Sequence, residues 1–190
     1  MRLGILGGSF DPIHNAHLIV AQSAQEQLGL DRLLFMVSGR QPLKGGHGAP
    51  ALDRLRMVEL GIAGLPGCVA DGREVHRGGV SYTIDTLREL RIEHPDAELV
   101  LILGSDAVLD LPRWREAAEV ARLATMAVVA RPGTPREAHA IAVDVPEMAI
   151  SSTEVRTRAA TGRGLRGWVP AAVADYISGL SLYQTPGGAA

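Results

Sequence analysis

A glycine-rich segment near the amino terminus combines residue types that bind phosphate groups. Residues 7–17 read Gly-Gly-Ser-Phe-Asp-Pro-Ile-His-Asn-Ala-His. Glycines let a backbone approach a phosphate closely, and His14 and His17 are spaced to face the same side of a helix start. The segment has neither the G-x-G-x-x-G spacing of dinucleotide-binding loops nor the Gly-Lys-Ser/Thr ending of Walker loops. It indicates phosphate chemistry of another kind; the alternatives are two ordinary histidines, or a zinc site without an evident third ligand.

A second polar segment, residues 149–156, reads Ala-Ile-Ser-Ser-Thr-Glu-Val-Arg. Ser151 followed three residues later by Glu154 is typical of a capping box, which would give the segment a purely structural role. Hydroxyl groups at a helix start, with Arg156 one turn inside, also suit an anion, because free amides, the helix dipole and a guanidinium converge there. From these residues alone both interpretations stay open.

Short apolar runs alternate with helical patterns along the chain. The runs predict buried parallel strands at residues 2–6, 33–37, 99–103 and 126–130. The periodic segments predict helices at residues 15–28, 51–65, 83–94 and 113–124, and Gly29 is expected to cap the first. This alternation predicts an α/β fold, a single doubly wound Rossmann-like domain with a parallel sheet. Ligands of such sheets bind beyond the carboxyl ends of the strands.

Length and charge narrow the class of protein. The 190 residues fit one domain, predicted at 1–184 and followed by a disordered tail at 185–190. A net charge of −2 gives no reason to expect nucleic acid or an anionic membrane as partner, and a homo-oligomer is not excluded. The single cysteine, Cys68, suits a reducing cytoplasm. We expect a cytoplasmic protein, since the apolar runs are too short for a signal peptide or a membrane span.

The two polar segments together resemble the nucleotidyltransferase superfamily with the H-x-G-H motif, and within it the bacterial nicotinate-nucleotide adenylyltransferase family. Residues 77–87 and the pair of stretches 104–106 and 111–114 are similar to further family segments, and the resemblance runs to about residue 183. Two positions depart from the pattern. Ala16 replaces the glycine between the motif histidines, and Leu43 replaces a histidine after the second strand, although Lys44 is present and His47 follows it.

The resemblance implies transfer of AMP from ATP to nicotinate mononucleotide, which gives nicotinate adenine dinucleotide and pyrophosphate in NAD biosynthesis. Mg²⁺ is expected to enter with ATP, and no residue is assigned to a dedicated metal site. The catalytic residues that the resemblance implies are His14, His17, Lys44 and Arg156. The implied ATP site comprises Gly8, Ser9, Phe10, His14, His17, Gly104, Asp106, Ser151, Ser152, Thr153 and Arg156. The implied nicotinate mononucleotide site comprises Ser9, Lys44, Tyr82, Thr83 and Trp114.

Several alternatives stay open beside this interpretation. A sister transferase would use phosphopantetheine or nicotinamide mononucleotide as acceptor. A nucleotide-binding regulator would keep the fold without catalysis, and an H-x-x-H metal hydrolase would bind zinc. Three of the implied site residues also have structural interpretations: Asp106 and Thr83 as helix caps, and Trp114 as a core residue.

Overall fold

The computed structural model describes residues 1–41, 48–130 and 140–184, without the side chains of Asp106 and Ala130. The strands in these ranges are β1 (Arg2–Gly8), β2 (Arg32–Val37), β3 (Cys68–Asp71), β4 (Glu98–Gly104), β5 (Thr125–Ala130) and β6 (Ile141–Asp144). They form one six-stranded sheet in the order β3-β2-β1-β4-β5-β6, with every neighbouring pair parallel. The predicted α/β fold with a doubly wound parallel sheet is confirmed.

Helices connect the strands across both faces of the sheet. They are α1 (Asn15–Leu28), α2 (Ala51–Ile62), α3 (Arg73–Arg77), α4 (Thr83–Glu93), α5 (Ser105–Asp110), α6 (Ala117–Leu123), α7 (Ser152–Ala160) and α8 (Ala171–Gly179). A short 3₁₀ helix, Leu111–Arg113, lies between α5 and α6. Among the described residues, none of these helices is both long and apolar enough to cross a membrane.

The sheet separates two hydrophobic layers. Along β1, Leu3 and Ile5 face one layer and Leu6 faces the other, because side chains alternate along a strand. Helices α1, α2, α7 and α8 pack on the face of Leu6. Helices α4 and α6 pack on the face of Leu3. Both faces of the central strands are therefore buried, which explains their continuous apolar runs.

The strand order reverses at β1, and this reversal positions the site. Strands β2 and β3 extend the sheet on one side of β1, whereas β4, β5 and β6 extend it on the other. Such a reversal opens a crevice beyond the carboxyl ends of the two strands at which it occurs. Gly8 ends β1 and Gly104 ends β4, so the glycine-rich segment and the loop after β4 flank the same crevice.

The predicted strands and helices are present, and most of them begin and end close to the predicted residues. Helix α1 has the predicted bounds, and Gly29 caps it in the left-handed conformation, with φ 59°. The helix predicted at 113–124 begins only at Ala117, because the 3₁₀ helix precedes it and Glu116 has φ 53°. The four-residue strands β3 and β6 were not predicted, since neither forms a long apolar run. The predicted tail, 185–190, lies outside the described residues.

Candidate active site

The glycine-rich segment folds into a tight loop around the ring of Phe10. Phe10 has φ 47°, a left-handed conformation that is rare for a bulky residue. Its buried ring lies beneath Gly8, where an added Cβ would be 3.0 Å from Phe10 Cζ. The same ring contacts Phe35 of β2 and the edge of His17, with centroid distances of 5.6 and 5.0 Å. We call residues 8–13 the phosphate loop; Gly8 is required there for space.

The two motif histidines stack face to face at the start of α1. Their ring centroids lie 3.7 Å apart, with an angle of 18° between the planes. The backbone N–H of His14 donates to His17 Nδ1 at 3.2 Å, so the neutral ring of His17 carries its proton on Nε2. Nε2–H is then a donor for a ligand. The sequence-based expectation that both rings share one side of the helix start is confirmed.

Both histidines are neutral in the free protein. Burial lowers the pKa of His14 to about 4, against a backbone hydrogen bond that raises it. Burial lowers the pKa of His17 well below its ordinary value, and the neighbouring His14 lowers it further. A bound polyphosphate would shift both pKa values upward, because an adjacent anion favours the charged imidazolium.

Asp11 fastens the phosphate loop to two distant parts of the chain. Its side chain is only 5% exposed. One carboxylate oxygen accepts from Gly48 N at 2.6 Å, and the other accepts from Ala49 N at 3.0 Å and from the hydroxyl of Tyr183 at 2.8 Å. The carboxylate therefore organises the loop from inside.

Helix α7 begins against the same loop. The Ser152 hydroxyl donates to the Pro12 carbonyl at 2.9 Å, and Arg156 Nη1 donates to the Asp11 carbonyl at 2.8 Å. Ser151 accepts from the backbone N–H of Glu154 at 3.2 Å, so the Ser151 half of the predicted capping box is confirmed. The second guanidinium arm of Arg156 donates to the Thr153 hydroxyl at 3.2 Å. The fold thus brings together the two polar segments that lie at opposite ends of the sequence.

A cavity of about 470 Å³ opens at the carboxyl ends of β1 and β4. Its walls include Gly8, Gly104, Tyr82, Thr83 and Trp114, five residues that the sequence predicted for the site. The guanidinium of Arg115 lies over the Tyr82 ring, 4.9 Å from its centroid. The remaining wall is largely apolar, with side chains such as Leu87, Leu101 and Leu103. An aromatic ring fits this environment, with Trp114 and Tyr82 as stacking surfaces.

The structural interpretations of three site residues have mixed outcomes. Trp114 packs against the core layer and also lines the cavity, so its predicted contact with a ligand stays a prediction. The interpretation of Thr83 as a helix cap is wrong, because Tyr82 occupies the N-cap and Thr83 is the first residue of α4. Asp106 is likewise not the cap of α5, a position that Gly104 takes. Lys44, Leu43 and His47 lie outside the described residues.

Some residues around the site carry no sequence signal that singles them out. Ser38 follows β2 and lines the cavity with a buried hydroxyl that has no partner among the described residues. His14 Nδ1 and Gln41 Oε1 are also buried without a hydrogen-bond partner among the described residues. Buried polar groups without partners are costly, so a ligand that bonds them would relieve that cost. Only the fold identifies Ser38 and Gln41, because isolated Ser and Gln residues are common in loops, whereas His14 was predicted from its motif.

A buried carboxyl group also lines the cavity. Glu74 accepts a hydrogen bond from the Thr86 hydroxyl at 2.6 Å. Burial raises the pKa of Glu74, whereas hydrogen bonds from Thr86 and Ser81 lower it.

In the described ranges no three His, Cys, Asp or Glu side chains come together as metal ligands.

Comparisons with known proteins identify similar sequences. A family model described as cytidylyltransferase-like matches residues 5–158. A probable nicotinate-nucleotide adenylyltransferase of Thermus thermophilus is 48% identical over 97% of this chain and 100% of its own length. A protein of the same description from Gemmatimonas aurantiaca is 41% identical over 97% of this chain and 93% of its own.

Solved structures show the same fold at lower identity. Plasmodium falciparum nicotinic acid mononucleotide adenylyltransferase, complexed with NaAD, matches with a TM-score of 0.81 at 20% identity. That match covers 96% of this chain and 97% of the other. A structure of the same Plasmodium enzyme complexed with APC matches with a TM-score of 0.79, also at 20% identity.

Proposed function

Since the chain belongs to the family of nicotinate-nucleotide adenylyltransferases, we propose that it transfers AMP from ATP to nicotinate mononucleotide. The products are nicotinate adenine dinucleotide and pyrophosphate. One observation in particular supports this activity. The start of α7 packs on the phosphate loop beside two stacked histidines, at the end of the strand that also borders the cavity. A polyphosphate and an aromatic acceptor can then meet at one edge of the sheet.

The chemistry requires positioning more than acid–base catalysis. A phosphate oxygen of the mononucleotide forms a bond to the α-phosphorus of ATP, while the bond from that phosphorus to the bridging oxygen of pyrophosphate breaks. The attacking oxygen is already an anion near neutral pH, so no protein nucleophile is needed. Catalysis then depends on in-line alignment and on stabilising the charge that builds on the phosphate oxygens.

We assign the donors of the phosphate side to successive phosphates. His17 Nε2–H serves the α-phosphate in the transition state, and His14 serves the neighbouring phosphates. The amides of Ser152 and Thr153, with Arg156, hold the β and γ phosphates at the start of α7, where the helix dipole also favours anions. Gly8, Ser9 and Phe10 surround the triphosphate from the loop. Gly104 and Asp106 are assigned to the adenosine portion.

A divalent cation accompanies ATP in nucleotidyl transfer, and we propose that it is Mg²⁺. The described residues offer no cluster of three ligands. In this proposal the cation arrives on the nucleotide and keeps most of its waters. When bound, the cation neutralises phosphate charge; this chain's own contribution is the amides, imidazoles and guanidinium of the phosphate side.

The cavity is the proposed site of the acceptor. Nicotinate mononucleotide carries a flat cationic ring, for which Trp114 offers a stacking face. We assign its carboxylate to the start of α4, where the Thr83 hydroxyl and nearby backbone amides favour a negative charge. Tyr82 forms the adjacent wall, and Ser9 and Lys44 serve the phosphate of the acceptor.

Pyrophosphate release tests this proposal directly. The purified protein is incubated with Mg-ATP and one phosphorylated acceptor at a time: nicotinate mononucleotide, nicotinamide mononucleotide or phosphopantetheine. The proposal expects the fastest release with nicotinate mononucleotide, and the dinucleotide as product. Faster release with phosphopantetheine would overturn the acceptor, and no release with any acceptor would overturn the transfer activity. Zinc in the purified protein, together with hydrolysis of ATP alone, would favour a metal hydrolase.

A further inference from the structure

Arg54 of α2 is a buried cation directly behind the phosphate loop. Its side chain is 0% exposed. Nη1 donates to the carbonyl of Ser9 at 2.7 Å, and Nη2 donates to the carbonyl of Gly39 at 2.9 Å. The two arms of one guanidinium therefore join the phosphate loop to the segment that follows β2. A planar fork can hold two such acceptors at a fixed separation, whereas a lysine ammonium has no such geometry.

Gly39 continues the connection toward the acceptor cavity. Its backbone N–H donates to the Ser81 hydroxyl at 2.9 Å, and an added Cβ there would lie only 2.7 Å from the Glu74 carbonyl. Ser81 in turn bonds the buried carboxylate of Glu74 and immediately precedes Tyr82, the N-cap of α4. A continuous series of hydrogen bonds thus runs from Ser9 to the residues that line the cavity.

A charged guanidinium at this buried position requires an explanation. Both of its hydrogen bonds go to neutral carbonyls. A buried charge is costly: burial lowers the pKa of Arg54, and the nearby Asp11 carboxylate opposes that shift. A role in filling space alone does not explain a guanidinium at this position. The connection that it makes between two substrate-facing segments does.

We propose that Arg54 is a positioning residue for adenylyl transfer, and that it sets the separation between the phosphate loop and the acceptor cavity. This inference rests on the proposed function, because it concerns the alignment of the two substrates in that reaction. Each substrate keeps its own contacts when Arg54 is replaced, but the attacking oxygen and the α-phosphorus are no longer held in line. The loss therefore falls on kcat and not on the binding of either substrate alone.

The test uses two variants of Arg54 and one matched control. Arg54→Met keeps the volume and removes both hydrogen bonds, and Arg54→Lys keeps the charge but not the fork. We expect Arg54→Met to lower kcat about a hundredfold, the cost of a displacement on the order of 1 Å, with both KM values within about threefold of wild type. Arg54→Lys should recover less than about a tenth of the lost rate. The control is Arg56→Met on the same helix, which removes only an exposed pair with Glu59 and should leave kcat unchanged.

Three results would overturn the inference. Wild-type kcat in Arg54→Met would show that the connection is dispensable. Full recovery in Arg54→Lys would show that charge alone matters, and a rise in KM at unchanged kcat would make Arg54 a binding residue. If Arg54→Met does not fold, Ser81→Ala breaks the same connection at Gly39; it should lower kcat about tenfold, and wild-type kcat there would also overturn the inference. An inactive wild-type protein would instead contradict the proposed function.

Discussion

The phosphate side of the site and the acceptor cavity hold their polar groups in different ways. On the phosphate side, Asp11, Ser152 and Arg156 bond to backbone or side-chain groups of the protein, and Asp11 is almost fully buried. In the cavity, Thr83 and Trp114 are partly exposed and stand among leucine side chains. The phosphate side is therefore held mainly by hydrogen bonds within the protein, whereas the cavity wall keeps polar atoms of Ser38 and Gln41 that have no partner among the described residues. Rate should depend mainly on the first region and choice of acceptor on the second.

The largest effect is expected on the phosphate side. His17→Ala should lower kcat at least about a hundredfold, or about 3 kcal/mol, since it removes a preorganised donor at the reacting phosphate. ATP binding and the unfolding free energy should change much less. Steady-state kinetics and a binding titration with a non-hydrolysable ATP analogue measure both quantities. His94→Ala, at the end of α4, is the control, and turnover near that of wild type would remove His17 from the mechanism.

Replacements in the cavity should change how the acceptors are used, and only those near the carboxylate should change the choice between them. We expect a preference of about a hundredfold in kcat/KM for nicotinate over nicotinamide mononucleotide, because the amide would place its NH₂ donor against amide donors at about 1–3 kcal/mol each. Trp114→Ala should weaken both acceptors in parallel, since stacking does not sense the substituent. Thr83→Val should reduce the ratio by about tenfold. Equal use of both acceptors by the wild-type protein would contradict this specificity but leave the transfer activity standing.

The buried histidine of the phosphate side predicts a loss of stability in mild acid. An unfolded chain protonates His14 below pH 6.5, whereas the folded protein does so only near its pKa of about 4. Unfolding therefore takes up a proton between these values, and stability falls as the pH is lowered through this window. The loss should reach about 2 kcal/mol at pH 5. Urea unfolding of wild type and His14→Gln at pH 7 and pH 5 measures it, and parallel losses in the two proteins would assign the effect to other groups.

The smallest effect is expected from removing a hydrogen bond that holds the phosphate loop in place. Tyr183→Phe removes one of three hydrogen bonds to the Asp11 carboxylate, and should lower the unfolding free energy by about 1.5 kcal/mol. Because two backbone donors remain, kcat should fall by less than about threefold. Tyr176→Phe breaks a comparable bond to Asp53 in a more exposed place, and should cost less. A larger cost for Tyr176→Phe would show that burial of Asp11 does not strengthen its contacts.

Local patterns in the sequence were sufficient for most of the fold. The apolar runs predicted β1, β2, β4 and β5, since central strands are buried on both faces and carry an uninterrupted signal. Helix α1 and its cap at Gly29 followed from periodicity and turn chemistry. The short strands β3 and β6 escaped prediction because only pairing with a neighbour makes them strands. The late start of α6 depends on a left-handed residue at Glu116, a position that sequence pattern does not favour.

By itself the sequence determined the fold class, the family and the candidate residues for phosphate binding, because contiguous segments such as 7–17 and 149–156 carry these signals. Only the tertiary structure decided which polar groups of those segments form hydrogen bonds within the protein. It showed that Asp11 bonds to residues far outside the loop, that Ser152 of α7 bonds to the loop, and that Arg54 joins the loop to the segment after β2. The reason is physical: hydrogen-bond partners and burial arise between residues far apart in the chain, so no local pattern can encode them.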